Sequence, residues 1–126
     1  MKKTIVLIMR RQPVAQGLMQ KLRENKNIHL IYEPDYANAG VAIRSNEAEI
    51  ALIEVDETGE YDVSYCLILC ALLREETPLC KLIIMCPEQE KNSVEKVVKA
   101  KRTGKIDDFV FYEATITYLS CKLLSL

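Results

Sequence analysis

The sequence predicts an α/β protein with a five-stranded parallel sheet and helices on both of its faces. Short apolar runs alternate along the chain with segments of helical period, as expected for repeated strand–helix units. The apolar runs are continuous rather than alternating, which is typical of strands buried on both sides. The 126 residues fit one domain, which we expect to span positions 1–126.

The five strands are expected where apolar runs meet turn residues. Pro87 stops the fourth run. The first run follows a basic start and therefore loosely resembles a signal peptide. It covers only positions 5–9, and no small-residue cleavage site follows, so we interpret it as a strand. The predicted strands are residues 4–9, 28–32, 50–55, 81–86 and 108–112.

The helices are expected between and after these strands. Pro13 suits the first turn of the first helix, where Val14, Leu18 and Leu22 would share one face. Gly104 suits the C-terminal cap of the fourth helix. The first predicted helix starts at Pro13. The next three cover residues 37–46, 63–75 and 93–102, and the fifth runs from about residue 115 onward.

Five such units with right-handed crossovers favour a doubly wound sheet of flavodoxin-like order 2-1-3-4-5. In such sheets, ligands bind outside the carboxyl ends of the strands. The side chains expected at that edge are Arg10, Arg11, Glu54, Cys86 and Tyr112.

Bulk composition excludes several function classes. The net charge of −1 gives no field that would attract nucleic acid, and no apolar run approaches the ~20 residues of a membrane span. The only histidine, His29, opens a strand and has no second histidine with which to build a site. The cysteines are odd in number and form no C-x-x-C pair, so we expect reduced, mostly buried thiols in a cytoplasmic protein; they are Cys66, Cys70, Cys80, Cys86 and Cys121.

Three stretches carry a family resemblance. They are "TIVLIMRRQP", "AEIALIEV" and "TGKIDDFVFYEATI", the last with the paired Asp107 and Asp108 before Phe109. Over its whole length the chain resembles the receiver domain of bacterial response regulators. The resemblance implies a signalling module of the two-component type, and it places Phe109 at the aromatic that rotates between inactive and active forms.

The same resemblance implies a degenerate phosphoacceptor pocket. The family's Mg²⁺-binding acids align with Arg10 and Arg11, and its acceptor aspartate aligns with Glu54. Its serine or threonine aligns with Cys86, and its lysine with Tyr112. Two guanidiniums repel a dication. The sequence therefore predicts a pseudo-receiver that is not an enzyme, needs no cofactor and binds no Mg²⁺.

Glu54 has three interpretations from sequence. It could imitate a phosphorylated aspartate, although one carboxylate carries less charge than a phosphoryl group. It could pair with Arg10 or Arg11 and fill the space of the missing ion, which we favour. It could also be a solvated loop residue. Asp56 lies beyond the predicted strand end and is not expected to replace the acceptor.

Two rival functions come from other classes. Arg10 and Arg11 could bind a small anion or a nucleotide at the sheet edge, near helix N-termini. No glycine-rich loop accompanies them. Alternatively Cys86 could act in a cysteine-based enzyme, but His29 would lie at the opposite edge of the sheet.

The expected partner is another protein or a second copy of the chain, not nucleic acid or a membrane. In receivers, the face formed by the fourth helix, fifth strand and fifth helix commonly dimerises. Tyr118, Leu119 and Leu123 could serve there, with core packing as the default expectation for most of them. The third helix is apolar nearly all round, so its outer face is either covered by neighbours or meets a partner. No DNA-binding domain follows Leu126, so any output is expected to use another chain.

Overall fold

Five parallel strands form a single sheet in the computed structural model, which describes residues 3–56, 59–114 and 116–126. The strand order is β2-β1-β3-β4-β5, so the predicted flavodoxin-like topology is confirmed. The strands are β1 (Lys3–Ile8), β2 (Ile28–Glu33), β3 (Ile50–Glu54), β4 (Lys81–Cys86) and β5 (Asp108–Phe111).

Helices cover both faces of this sheet. One core layer joins the first and last helices to the sheet, and the other joins the three middle helices to the opposite face. The helices are α1 (Gln12–Leu22), α2 (Ala39–Asn46), α3 (Val63–Glu76), α4 (Lys91–Arg102) and α5 (Ile116–Ser125). No helix within the described ranges is long and apolar enough to span a membrane.

The alternation of side chains along β3 decides where Glu54 points. Ala51 and Ile53 belong to the core under α2, α3 and α4, whereas Ile50 and Leu52 belong to the core under α1 and α5. Because successive strand residues face opposite sides, Glu54 falls on the α1 side. β1 pairs with β3 in parallel, with Ile8 opposite Ile53. The segment that leaves β1 therefore passes beside Glu54.

Several helix ends differ from the predicted boundaries. A 3₁₀ turn over Tyr36–Asn38 precedes α2, because the Asp35 side chain accepts a hydrogen bond from the Ala37 N–H. α4 begins at Lys91 rather than at Ser93, whose side chain is buried. Gly104 follows α4 with φ of 79°, which confirms its predicted role at the helix end.

Two predicted features fall partly outside the described residues. Glu57 and Thr58 belong to the loop after β3, and Thr115 was the expected first residue of the last helix. β5 ends at Phe111, one residue before the predicted end, so Tyr112 lies in the loop that follows it.

Candidate functional site

The carboxyl edge of the sheet brings Arg10, Arg11, Glu54 and Tyr112 together. Glu54 ends β3 and is only 1% exposed. Both arginine side chains are 53% exposed. The site is therefore a buried carboxylate at the end of β3, beside two half-exposed guanidiniums on the segment that follows β1.

Both carboxylate oxygens of Glu54 accept hydrogen bonds. Oε1 accepts from the backbone N–H groups of Arg10 at 3.0 Å and Arg11 at 3.2 Å, and Oε2 accepts from Nε of Arg11 at 2.9 Å. Arg11 is the N-cap of α1, so the carboxylate also lies at the positive end of that helix. Glu54 thus pairs with Arg11 and, through the backbone, with the whole turn after β1.

Tyr112 covers the other side of the Arg11 guanidinium. Cζ of Arg11 lies 4.2 Å from the centroid of the Tyr112 ring, within cation–π range. Burial alone would lower the pKa of Arg11, but the hydrogen bond and charge of Glu54 outweigh it, and the pKa is raised. Arg11 is therefore held as a cation between a carboxylate and an aromatic face.

Arg10 makes looser contacts than Arg11. Its Nε lies 3.8 Å from Oδ2 of Asp56, and its Cζ lies 5.6 Å from the Tyr61 ring centroid. An exposed pair at that separation contributes little to stability. The two neighbouring arginines therefore have different roles. Arg11 neutralises Glu54, and Arg10 makes weak contacts with Asp56 and Tyr61.

Two stacked tyrosines, Tyr36 and Tyr61, contact the backbone at the end of β3. The Tyr36 hydroxyl donates a hydrogen bond to the Glu54 carbonyl, and burial raises the pKa of Tyr36. The Tyr36 and Tyr61 rings stack with centroids 4.0 Å apart and an interplanar angle of 1°. The Asp56 N–H donates to the Tyr61 carbonyl at 2.7 Å. These contacts fix the backbone on which the Glu54 side chain sits.

Neither Tyr36 nor Tyr61 was predicted from sequence as part of the site. One signal could have found them. Each lies in a segment that follows a strand, β2 for Tyr36 and β3 for Tyr61, and segments that follow parallel strands meet at one edge of the sheet. Their stacking depends on side-chain packing across 25 positions, which no local spacing encodes.

Cys86 and Phe109 belong to the core layer under α2, α3 and α4. Cys86 is fully buried, and its carbonyl accepts a hydrogen bond from the Tyr112 N–H at 3.1 Å. Phe109 is half-buried and packs edge to face against Phe111, with centroids 5.6 Å apart. Cys86 is thus linked to the cluster through the backbone.

The paired acids before Phe109 are structural anchors in this chain. Oδ2 of Asp107 accepts from the Leu82 N–H at 2.8 Å and meets the Arg74 guanidinium at 3.0 Å. Asp108 contacts Lys101 at 3.0 Å and Lys122 at 3.1 Å. Burial alone would raise the pKa of Asp108, but the two lysines and the Phe109 N–H outweigh it, and the pKa is lowered.

Of the three residues expected at an interface, two belong to the core. Leu119 is 3% exposed and Leu123 is 2% exposed, because both face the layer between α1, α5 and the sheet. Core packing, the default expectation for most of these three residues, therefore describes Leu119 and Leu123, whereas Tyr118 is 52% exposed. Tyr118 borders a groove of about 540 Å³ that Phe109, Phe111, Lys101 and Lys122 also line.

The residues at the sheet edge do not fit a divalent metal. Mg²⁺ requires oxygen ligands, whereas the side chains of Arg10 and Arg11 are cationic and offer none. The oxygens of Glu54 are already occupied by N–H donors. Within the described ranges, no group of three or more His, Cys, Asp or Glu side chains is arranged to hold a metal ion.

Comparison with solved structures places the fold among receiver domains. A two-component response regulator from Clostridium difficile superposes with a TM-score of 0.78 at 22% identity, covering 98% of this chain and 94% of that chain. A response regulator from Thermotoga maritima gives 0.78 at 18% identity, covering 99% and 97%. A structure described as adenylate cyclase from Rhodopirellula baltica gives 0.79 at 10% identity, covering 99% and 87%.

Comparison by sequence identifies no related family or curated protein. No protein-family model matches the sequence, and no curated protein matches it. At identities of 22% and below, the structural likeness establishes the fold alone. The chain therefore has the five-stranded receiver fold of two-component response regulators, with an arginine–glutamate pair at the edge where ligands of such sheets bind.

Proposed function

We propose that this chain is a pseudo-receiver: a non-enzymatic signalling module that acts by protein contact and accepts no phosphoryl group. One observation carries the proposal. The Glu54 carboxylate is 1% exposed, and three N–H donors from Arg10 and Arg11 occupy its two oxygens. A carboxylate that is buried and held by three donors is poorly placed to attack a phosphodonor.

The chemistry of phosphoryl transfer supports this conclusion. The reaction depends on positioning and on neutralising charge at the transferred group, largely by a metal ion. Here the cation beside Glu54 is a guanidinium of the protein itself, and removal of Arg11 would leave a buried carboxylate without its charged partner. In this account, Glu54 and Arg11 replace the ion and the acceptor with a permanent pair.

The proposed output is a contact with another protein in a two-component-type pathway of the cytoplasm. The groove beside Tyr118 offers aromatic side chains, Phe109 and Phe111, between two lysines that are themselves tied to Asp108. Aromatic side chains beside polar groups are common at protein interfaces. Because Lys101 and Lys122 are held by Asp108, this surface is ordered before any partner arrives.

An anion or nucleotide sensor at Arg10 and Arg11 has less support. Each guanidinium already faces a carboxylate and an aromatic ring: Glu54 and Tyr112 for Arg11, Asp56 and Tyr61 for Arg10. A thermal-shift screen with inorganic phosphate and nucleotides tests the alternative. A stabilisation that disappears in Arg10→Ala would favour the sensor.

Titration of the ¹⁵N-labelled protein with Mg²⁺ and beryllofluoride tests the proposal itself, because this pair imitates a bound phosphoryl group. We expect no change in the amide signals of residues 10, 11 and 54. A receiver domain that carries both metal-binding acids serves as the positive control. Saturable shifts at those three residues would contradict the proposal.

A further inference from the structure

β5 forms one edge of the sheet, and part of its outer backbone faces a groove. The strand order ends with β5, so β4 is its neighbour on one side only. The groove of about 540 Å³ beside Tyr118 runs along the other side, because Phe109, Val110 and Phe111 all line it. An edge strand of this kind offers backbone groups to which another extended segment can bind.

The register with β4 shows which backbone groups of β5 point outward. Cys86 lies opposite Phe111, and its carbonyl accepts from the Tyr112 N–H at 3.1 Å. In a parallel ladder, alternate residues direct their backbone groups toward the same neighbouring strand. Val110 therefore faces β4 with both of its backbone groups, whereas Phe109 and Phe111 direct theirs toward the groove.

Two of these four outward groups are already satisfied within the chain. The Phe109 N–H donates to Oδ1 of Asp108 at 2.8 Å, and the Phe111 carbonyl accepts from the Ala114 N–H at 3.1 Å. Among the described residues, no hydrogen bond occupies the Phe109 carbonyl or the Phe111 N–H. β5 therefore presents one free backbone acceptor and one free backbone donor to the groove, on either side of Val110.

We propose that the outer edge of β5 binds an extended segment of a partner protein, which adds to the sheet as a short sixth strand. In a parallel arrangement, one bridging residue of the segment donates its N–H to the Phe109 carbonyl and accepts from the Phe111 N–H. This inference rests on the proposed function, because it names how the contact surface beside Tyr118 recognises its partner.

The two sides of the groove define the side chains that such a segment needs. Phe109 and Phe111 pack on the α4 side of the sheet, whereas Val110 packs on the α5 side. Because side chains alternate along a strand, the residues directly before and after the bridging residue would meet the two phenylalanines. We therefore expect apolar side chains at those two positions.

The charged residues of the groove indicate one further requirement. Of the charged side chains that line it, Lys101 and Lys122 are both paired with Asp108. Glu88 and Glu113 lie at the carboxyl end of β5, and neither forms an ion pair within the described ranges. In a parallel segment, the residues that follow the bridging residue reach this end. We therefore expect lysine or arginine among them.

A flexible segment fits this edge better than β5 of a second copy does. The Asp108 carboxylate and the Ala114 N–H each bind an outward-facing group, so both lie on the outer side of β5. Two β5 strands paired across a two-fold axis would bring these groups against the partner strand, and such obstacles block edge-to-edge pairing. A flexible segment can bind at one residue and leave the edge on both sides of it.

The test selects peptides of about eight residues, within the usual range of strand lengths, from a random library on the immobilised full chain. We expect apolar residues on both sides of one position, followed by lysine or arginine. N-methylation of the bridging residue removes the donor to Phe109 and should weaken binding by about 10-fold or more. N-methylation of the next residue is the matched control, because that N–H points away from β5, and it should change affinity less than about 3-fold.

Hydrogen exchange of the ¹⁵N-labelled chain reports the same contact from the protein side. The Phe111 amide should exchange at least about 10-fold more slowly with saturating peptide, whereas the Val110 amide, already paired with β4, should not change. Glu88→Gln with Glu113→Gln should weaken binding of the selected peptide by about 3- to 10-fold. Glu95→Gln, on α4 and outside the groove, is the control and should leave the affinity unchanged.

Several results would overturn the inference. One is a library that yields no peptide for this edge, and another is binding that no single N-methylation weakens. A lysine or arginine that precedes the sensitive residue, instead of following it, would contradict the parallel direction. A chain that dimerises through β5 in sedimentation velocity would show that the occupant is a second copy.

The outcome separates this inference from the proposed function. The same samples can be treated with Mg²⁺ and acetyl phosphate and weighed by mass spectrometry. Peptides that bind the groove as helices, on a chain that stays unmodified, would overturn the strand pairing alone. A chain that binds the expected peptide and also gains a phosphoryl group would overturn the proposed function alone.

Discussion

At the residue scale, the central feature is how Glu54 is stabilised as a buried carboxylate. An ionised carboxylate is costly to bury unless hydrogen bonds and an opposite charge compensate. Two backbone N–H groups and the Arg11 guanidinium provide that compensation. Removal of Arg11 should therefore leave a partly satisfied buried charge.

We expect Arg11→Ala to lower the free energy of unfolding by about 1 to 3 kcal/mol, because Glu54 then loses a charged donor. Urea denaturation measures the change. In a cycle with Glu54→Gln, the double variant should lose at least about 1 kcal/mol less than the sum of the single changes. Arg10→Ala is the control, with an expected loss below about 1 kcal/mol, because its contact with Asp56 spans 3.8 Å. Equal losses for the two arginines would contradict this account of the site.

Asp108 gives a pH-dependent prediction. Its folded-state pKa lies below the ordinary value of 3.8, so the folded protein binds this proton more weakly than the unfolded chain does. The ionised Asp108 carboxylate thus stabilises the folded protein fully above about pH 5. This contribution is lost as the pH falls through 3.8 towards the folded-state pKa. We expect Asp108→Asn to cost about 1 kcal/mol at pH 7 and much less at about pH 3. Urea midpoints at the two pH values measure it, and a difference that grows on acidification would contradict the assignment.

Sequence could predict an arginine–glutamate pair but not which arginine forms it. Arg10 and Arg11 both follow β1, and both could reach the end of β3. The choice is made by the backbone: Arg11 is the N-cap of α1, and its N–H and side chain meet the same carboxylate. Such a local geometry depends on φ and ψ at the turn and has no signature in residue types.

At the element scale, α3 runs from the loop beside the site, at the carboxyl edge of the sheet, to the turn before β4. It begins directly after the loop that carries Asp56 and Tyr61, and Oδ1 of its N-cap, Asp62, accepts from the Tyr65 N–H at 2.9 Å. This cap sets where the helix starts. Because Tyr61 directly precedes this cap, the cap also helps to fix the position of Tyr61 in its stack with Tyr36.

Loss of the cap should destabilise the protein moderately. Asp62→Ala should lower the free energy of unfolding by about 1 kcal/mol, because one backbone donor of the first turn loses its partner. Asp62→Asn keeps an acceptor and should lose less. Thermal unfolding followed by circular dichroism compares them, and an alanine variant as stable as the asparagine variant would show that the cap contributes nothing.

The ends of helices were predictable only where a residue type strongly prefers one backbone conformation. Pro13 and Gly104 marked a helix start and a helix end correctly, because each has a restricted or special backbone conformation. Ser93 did not mark the start of α4. Its side chain faces the core, and the helix begins two residues earlier without a side-chain cap. Tertiary packing overrides a capping preference of this size.

At the scale of the whole molecule, the fold follows from the alternation of apolar runs and helical periods. The continuous strands could be read directly, because both faces of the sheet are covered. Leu119 and Leu123 belong to the core, which was the default expectation, although sequence periodicity alone left an interface role for them open.

The burial of the thiols gives a prediction for the intact protein. Burial raises the pKa of Cys66, and it raises those of Cys70 and Cys80 to about 12. Cys86 is buried as well, and only Cys121 is exposed. We expect one iodoacetamide adduct per native chain at neutral pH and five after denaturation, counted by mass spectrometry. Rapid native labelling at Cys86 would instead favour a cysteine-based enzyme.

The measurement that tests the central claim most directly is the intact mass of the protein after incubation with acetyl phosphate and Mg²⁺. A receiver domain that retains its acid pair, acceptor aspartate and lysine, treated in parallel, shows that the phosphodonor is active. Because Arg10 and Arg11 occupy both oxygens of Glu54, we predict that the mass of this chain stays unchanged. A stable gain of one phosphoryl group, mapped to Glu54 or Asp56, would contradict the account.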